Sequence, residues 1–225
     1  MDTKSALDKQ SKQDVVESLY SNSFGSIMIN FILASGIVFT FDNPLTAEAK
    51  VKWWLVFVVV LVARLADSLI WKKQLKNAVY NNEIAIYRFI IGLLATCILW
   101  AFYCVFIVNQ VELLELTFIV VIVSSMAGGG ATILAAHKTA AIAYSFIILV
   151  PFSISLLLSD EKSMSVIGLL GLALFVVLFL VQKNQHILLN KLSSGKMRMQ
   201  YWLIAWRKKS LLERVKFTSF LILIH

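Results

Sequence analysis

Apolar and polar residues in this chain are sorted into long blocks. Six apolar runs stand out: Phe24–Phe41, Val51–Trp71, Tyr87–Val108, Leu113–Ala136, Thr139–Leu158 and Met164–Gln182. Each holds about 18–24 residues. A helix needs about 20 apolar residues to cross a hydrocarbon core of about 30 Å. The pattern predicts an all-α fold, a polytopic membrane bundle of six transmembrane helices. The connections are short, so consecutive helices are expected to be antiparallel neighbours.

The ends read differently. Residues 1–22 are polar, and no apolar stretch comes early enough for a cleavable signal peptide. The first run is therefore expected to be an uncleaved anchor. Val15, Val16, Leu19 and Tyr20 recur at helical spacing. Ser5–Tyr20 thus reads either as a short amphipathic helix lying on the membrane surface or as a solvated arm. The expected organisation is an N-terminal arm (1–22), a six-helix membrane domain (23–183) and a basic tail (184–225).

Composition agrees with the pattern. The chain is 59% hydrophobic and 15% charged, with a mean hydropathy of +0.80. Soluble domains lie nearer 45–50% apolar and about 25% charged. Two prolines and two cysteines exclude a low-complexity or disulfide-scaffold reading. The net charge of +8 could point to nucleic acid, but its placement points to topology. Seventeen of the 21 lysines and arginines lie on one side of the expected bundle. Three lie on the other (Lys50, Lys52 and Lys162), and Arg64 lies inside a span. By the positive-inside rule both termini are expected in the cytoplasm. The excess is then a topology signal and a contact for anionic lipid, and nucleic acid is not an expected partner. Trp53, Trp54 and Trp71, with Trp100 and Tyr103, fall near span ends and read as interface anchors.

A few residues interrupt the apolar runs. Arg64 and Asp67 lie in the second run, three apart, where they share a helix face and can pair. Ionisable groups inside a span are by default functional. The alternatives are an anchor or inter-helix pairing role, a signal or ligand contact, or snorkelling of Arg64 to the headgroups. Ser124, Ser125, Gly128, Gly129 and Gly130 put small residues four apart in the fourth run. They read as a close helix contact or as a point where the helix bends or shifts. Gly168 and Gly171, or Ala34, Ser35 and Gly36, could supply the facing surface. Pro151 in the fifth run removes one helix hydrogen bond and can kink the chain.

Other candidates lead nowhere chemical. Cys97 and Cys104 are seven apart on one helix, about 10 Å along its axis, and cannot bridge each other. His137 and His186 share no helix face at ligand spacing, so no haem or metal site is expected. Glu112 and Glu115 read as interfacial. No nucleophile–base constellation and no phosphate-binding glycine loop is present, so neither an enzyme nor a cofactor is expected.

Three stretches carry a resemblance. WWLVFVVVLVARLADSLIWKK has tryptophans early and an arginine late in the second helix. YRFIIGLLATCILWAFY contains Gly92 and Trp100. SSMAGGGATILAAHKTAAIAYSFIILVPF is a glycine-rich helix leading to a proline in the next. Over roughly residues 15–195 the chain resembles the multipass membrane sensor module that precedes GGDEF, EAL or hybrid histidine kinase output domains in bacteria. The resemblance implies an inner-membrane input module for signal transduction, a cytoplasmic helix after the last span, and a homodimer within the lipid bilayer. The chain is expected to depart from the pattern in lacking an output domain after residue 225. From Met197, reading at the third base of each codon allows a charged helical connector, so a frameshift near 197 is one expectation for this tail. The rival expectation is a small secondary transporter, with substrate at a glycine-broken helix near the midplane. No similarity between the two halves supports it.

Overall fold

A computed structural model describes residues 13, 15–76, 81–108, 110–134 and 137–184. His186 and the region of the expected frameshift near 197 fall outside the described residues. So does most of the N-terminal arm. Among the described residues there is no strand, and six helices are long and apolar enough to cross a membrane. They are α1 (Val15–Thr40), α2 (Ala47–Lys76), α3 (Asn82–Ile107), α4 (Leu113–Ile133), α5 (Lys138–Leu157) and α6 (Lys162–Asn184). Helix is the expected state of such segments because lipid offers the backbone no hydrogen-bond partner. Short polar caps start two of them. Asn81 Oδ1 accepts the Glu83 amide at 3.0 Å, and His137 Nδ1 accepts the Ala140 amide at 3.2 Å.

Five helices form a closed ring. α1 packs on α2, α2 on α3, α3 on α5, α5 on α4, and α4 back on α1. Three of the four consecutive pairs among them are neighbours as expected. α3 and α4 are the exception, for α3 takes α5 as its partner. A short loop ties only helix ends together, so it does not dictate which groove the rest of the helix fills. At one end of the ring Asn43 Nδ2 donates to the Gln110 carbonyl at 2.9 Å, joining the α1–α2 and α3–α4 loops.

Large apolar side chains cover the outside. Ile32, Phe39, Val59, Ile91, Phe102 and Leu170 are all more than 60% exposed. Soluble monomers rarely expose a contiguous apolar patch beyond a few hundred Å². Here such residues recur along the membrane length of every helix, which is the surface a bilayer covers. The chain is a multi-pass membrane protein.

α6 lies outside the ring. Only 6% of its most apolar stretch is buried, against 50% for α5. It rests on α5 through glycine. A Cβ on Gly168 would lie 2.6 Å from the Ser153 carbonyl oxygen, and one on Gly171 would lie 2.2 Å from Ser153 Oγ. Phe146 and Phe175 meet edge to face at 5.8 Å.

The start of α1 sits differently from the expected surface arm. It breaks at Asn22, and the helical residues before that point enter the bundle. Val16, Leu19 and Tyr20 are fully buried. Apolar side chains at this spacing have a bundle to pack against, so the described part of this segment packs on the other helices.

Candidate functional site

The polar residues of the bundle form three groups. The first is where α1, α2 and α3 meet. Arg88 Nη2 pairs with Asp67 Oδ1. Tyr20 hydroxyl lies 3.2 Å from both Asp67 Oδ2 and the Ala85 carbonyl, so its single proton is shared between two acceptors. Arg88 also lies over the Trp71 ring, 5.8 Å from its centre. Tyr20 packs edge to face on Phe89 at 5.3 Å. This corrects the expected pairing of Arg64 with Asp67. Both are on α2, but the carboxylate finds its arginine across the groove on α3.

Arg64 turns into the bundle. It is 8% exposed, and Nη1 donates to Thr96 Oγ1 at 2.9 Å. Thr96 in turn donates to the Gly92 carbonyl, one turn back in α3, at 2.9 Å. The methylene stem lies over Gly92, where a Cβ would come within 3.1 Å of Arg64 Cγ. Snorkelling is therefore not its conformation. Nη2 is buried with no hydrogen-bond partner among the described residues. An arginine at a helix centre costs about 2.5–3.5 kcal/mol on insertion scales. One neutral hydroxyl offsets part of that. A cavity of about 320 Å³ adjoins both groups, with Arg64, Asp67, Arg88 and Gly92 in its wall.

The second group is at the other end of α2. Lys50 Nζ and Glu115 Oε1 are 2.6 Å apart, with side chains 1% and 2% exposed. Lys50 also donates to the Phe41 carbonyl at 3.3 Å. Glu115 is thus turned into the bundle and buried against Lys50. α4 begins at Leu113, so its third residue already faces α2 inside the bundle.

Beside that pair lies an aromatic core. Trp53, Phe57, Trp100 and Tyr103 form tilted, stacked and edge contacts with centres 4.3–6.2 Å apart. Trp53 Nε1 donates to the Leu99 carbonyl at 2.8 Å. Trp100 Nε1 donates to Asn30 Oδ1 at 2.9 Å. Trp53, Trp71 and Trp100 are buried, which corrects their reading as interface anchors. An indole goes to the interface to satisfy its N–H; for Trp53 and Trp100 the bundle supplies an acceptor.

The third group involves α4, α5 and α6. Gln182 Nε2 donates to Ser145 Oγ at 2.9 Å and to the Ala141 carbonyl at 3.3 Å. It is 4% exposed and is a polar clamp between α6 and the ring. The glycine cluster on α4 divides. Gly130 faces the Tyr144 ring, where a Cβ would meet Cε1 at 2.2 Å. Gly128 and Gly129 have nothing within 4 Å of such a Cβ. Ser125, Gly129 and Gly130 border a cavity of about 270 Å³ shared with Ser26 and Asn30 of α1. Ser124 borders another of about 280 Å³, between α4, α5 and α6, with Gly171 opposite. Gly168 and Gly171 seat α6 on Ser153 and Leu157 of α5, so they do not face the α4 glycines. α5 stays helical through Pro151.

Sequence reasoning missed Glu115, Gln182, Thr96 and Asn30 as partners. For Glu115 a signal existed. Lys50 sits in the first turn of α2, where the helix dipole disfavours a cation, so an acidic neighbour could have been sought. For the others, a lone polar residue in an apolar helix gives no hint of which neighbour it meets. Cys97 and Cys104 are buried and free. No group of three potential metal ligands is present among the described residues. No protein-family model matches the chain, and neither a curated protein nor a solved structure does.

Proposed function

We propose that this chain is the sensory input module of a bacterial signal-transduction protein, held in the inner membrane with both ends in the cytoplasm. The observation that carries the reading is the state of α6. The last described helix lies outside the ring, with only 6% of its most apolar stretch buried. It rests on the ring through two glycines, the Gln182 clamp and a single row of partly buried apolar side chains that includes Ile167, Leu174 and Phe175. A helix held this lightly can slide or turn at low cost, and it leads directly into the tail where an output domain would follow. The shift would begin at the small-residue surface of α4 and at Pro151 of α5 and pass through α6. A homodimer within the bilayer fits the same reading, since output domains of this kind work in pairs.

Spin labels at Leu180 on α6 and Ile98 on α3, in the full chain in proteoliposomes, test it. Gln182→Ala is expected to broaden or shift the distance distribution by several ångströms, and an applied stimulus to move it in the wild type. An unchanged distribution in both cases overturns the proposal.

The alternative is a small secondary transporter. It draws on the buried Glu115, an acidic group within the membrane of the kind a coupled carrier uses. Gradient-driven accumulation of a substrate in proteoliposomes would favour it over the input module.

A further inference from the structure

Arg64 leaves a charge unanswered. Lys50 holds Glu115, and Arg88 holds Asp67. Arg64 has a hydroxyl on one side, nothing on Nη2 and no carboxylate among the described residues. The adjoining cavity carries two guanidinium groups in its wall against one carboxylate, a net excess of one positive charge. Its volume of about 320 Å³ falls at the low end of ligand pockets, about 300–1,000 Å³. The rest of the wall is mostly apolar, with Val60 of α2 and Ile91 and Ala95 of α3. Ile91 is 66% exposed on the lipid-facing surface, so the cavity opens sideways into the hydrocarbon.

We propose that this cavity binds an amphiphile with an anionic oxygen head group. The head supplies Arg64 with its missing counter-charge and acceptor, and the chain lies along Val60, Ile91 and Ala95. Nη2 is closed to water, so binding requires the Arg64 side chain to swing toward the head group; its stem lies over Gly92, which has no side chain of its own to hold it. Arg88 also lines the cavity, but its charge is spent on Asp67, so the net positive charge is that of Arg64. Asp67 does not repel the head strongly, because its charge is already met by Arg88 and Tyr20. A wholly apolar ligand would leave the guanidinium as it is, and a small polar anion would gain nothing from the apolar wall. The inference does not depend on the input-module reading, because binding is measured directly.

The test uses the full chain in nanodiscs of zwitterionic lipid, with three probes: labelled palmitate, phosphatidylglycerol and inorganic phosphate. Saturable binding of palmitate or of phosphatidylglycerol, one per chain, is expected and identifies the source of the head group. Arg64→Gln is expected to weaken it at least tenfold. Ala95→Phe, which fills the cavity and leaves both arginines, is expected to weaken it as well and serves if Arg64→Gln fails to fold. Three results overturn the proposal: no saturable binding of either amphiphile, equal binding by wild type and variants, or saturable binding of inorganic phosphate alone.

Discussion

Breaking the Lys50–Glu115 pair one residue at a time should be far worse than removing it whole. At 2.6 Å, and at an effective dielectric of about 20, the attraction is roughly 6 kcal/mol. Desolvating two side chains that are 1% and 2% exposed consumes much of that gain. The helix dipoles nearly cancel, because Lys50 lies in the first turn of α2 and Glu115 in the first turn of α4. Lys50→Met strands a buried carboxylate, and Glu115→Leu strands a buried ammonium whose other contact is the Phe41 carbonyl. Each single variant should lose about 3–5 kcal/mol, while the double variant should fall within about 1 kcal/mol of wild type. Reversible unfolding in mixed micelles, run as a double-mutant cycle, measures both. Single losses below about 1 kcal/mol, or additive losses in the double variant, would show that water or lipid headgroups reach the pair and that its burial is misread.

Three further outcomes follow from the packing. Gly130→Ala drives a methyl into the Tyr144 ring and should cost about 1–3 kcal/mol, whereas Gly128→Ala and Gly129→Ala meet open space and should be neutral or stabilising; melting temperatures in nanodiscs separate the two classes. Trp100→Phe leaves Asn30 Oδ1 without its buried donor and should cost about 1–3 kcal/mol in the same assay, with little loss from the aromatic contacts that phenylalanine keeps. Reporter fusions after Asn81 and after Glu161 should land on opposite membrane faces, since three spans (α3, α4 and α5) separate the two points; the same face for both would break the six-span topology.

Much of the local chemistry was only half legible. The run VARLADS marked Arg64 and Asp67 as interruptions worth attention, and both lie in or beside the same cavity. What the spacing suggested was a pair along one helix. The structure joins Asp67 to Arg88 and Arg64 to Thr96, because partners across a groove depend on how α2 and α3 are rotated. Glu115 looked like an interface residue since a carboxylate near a span end reads the same whether it faces headgroups or a buried lysine. The three glycines of α4 looked equivalent in sequence, yet only Gly130 meets a neighbour at close range.

The sequence by itself determined that there are six spans and that lipid surrounds them. Span length and apolarity are measured against a slab of fixed thickness, and that comparison needs no knowledge of neighbours. The ring order, the pairing of α3 with α5, the position of α6 outside the ring and the partners of each buried charge were decided only in three dimensions. These helices are apolar on every side, since lipid and bundle interior are equally oily. No stripe along the chain therefore records which face turns inward.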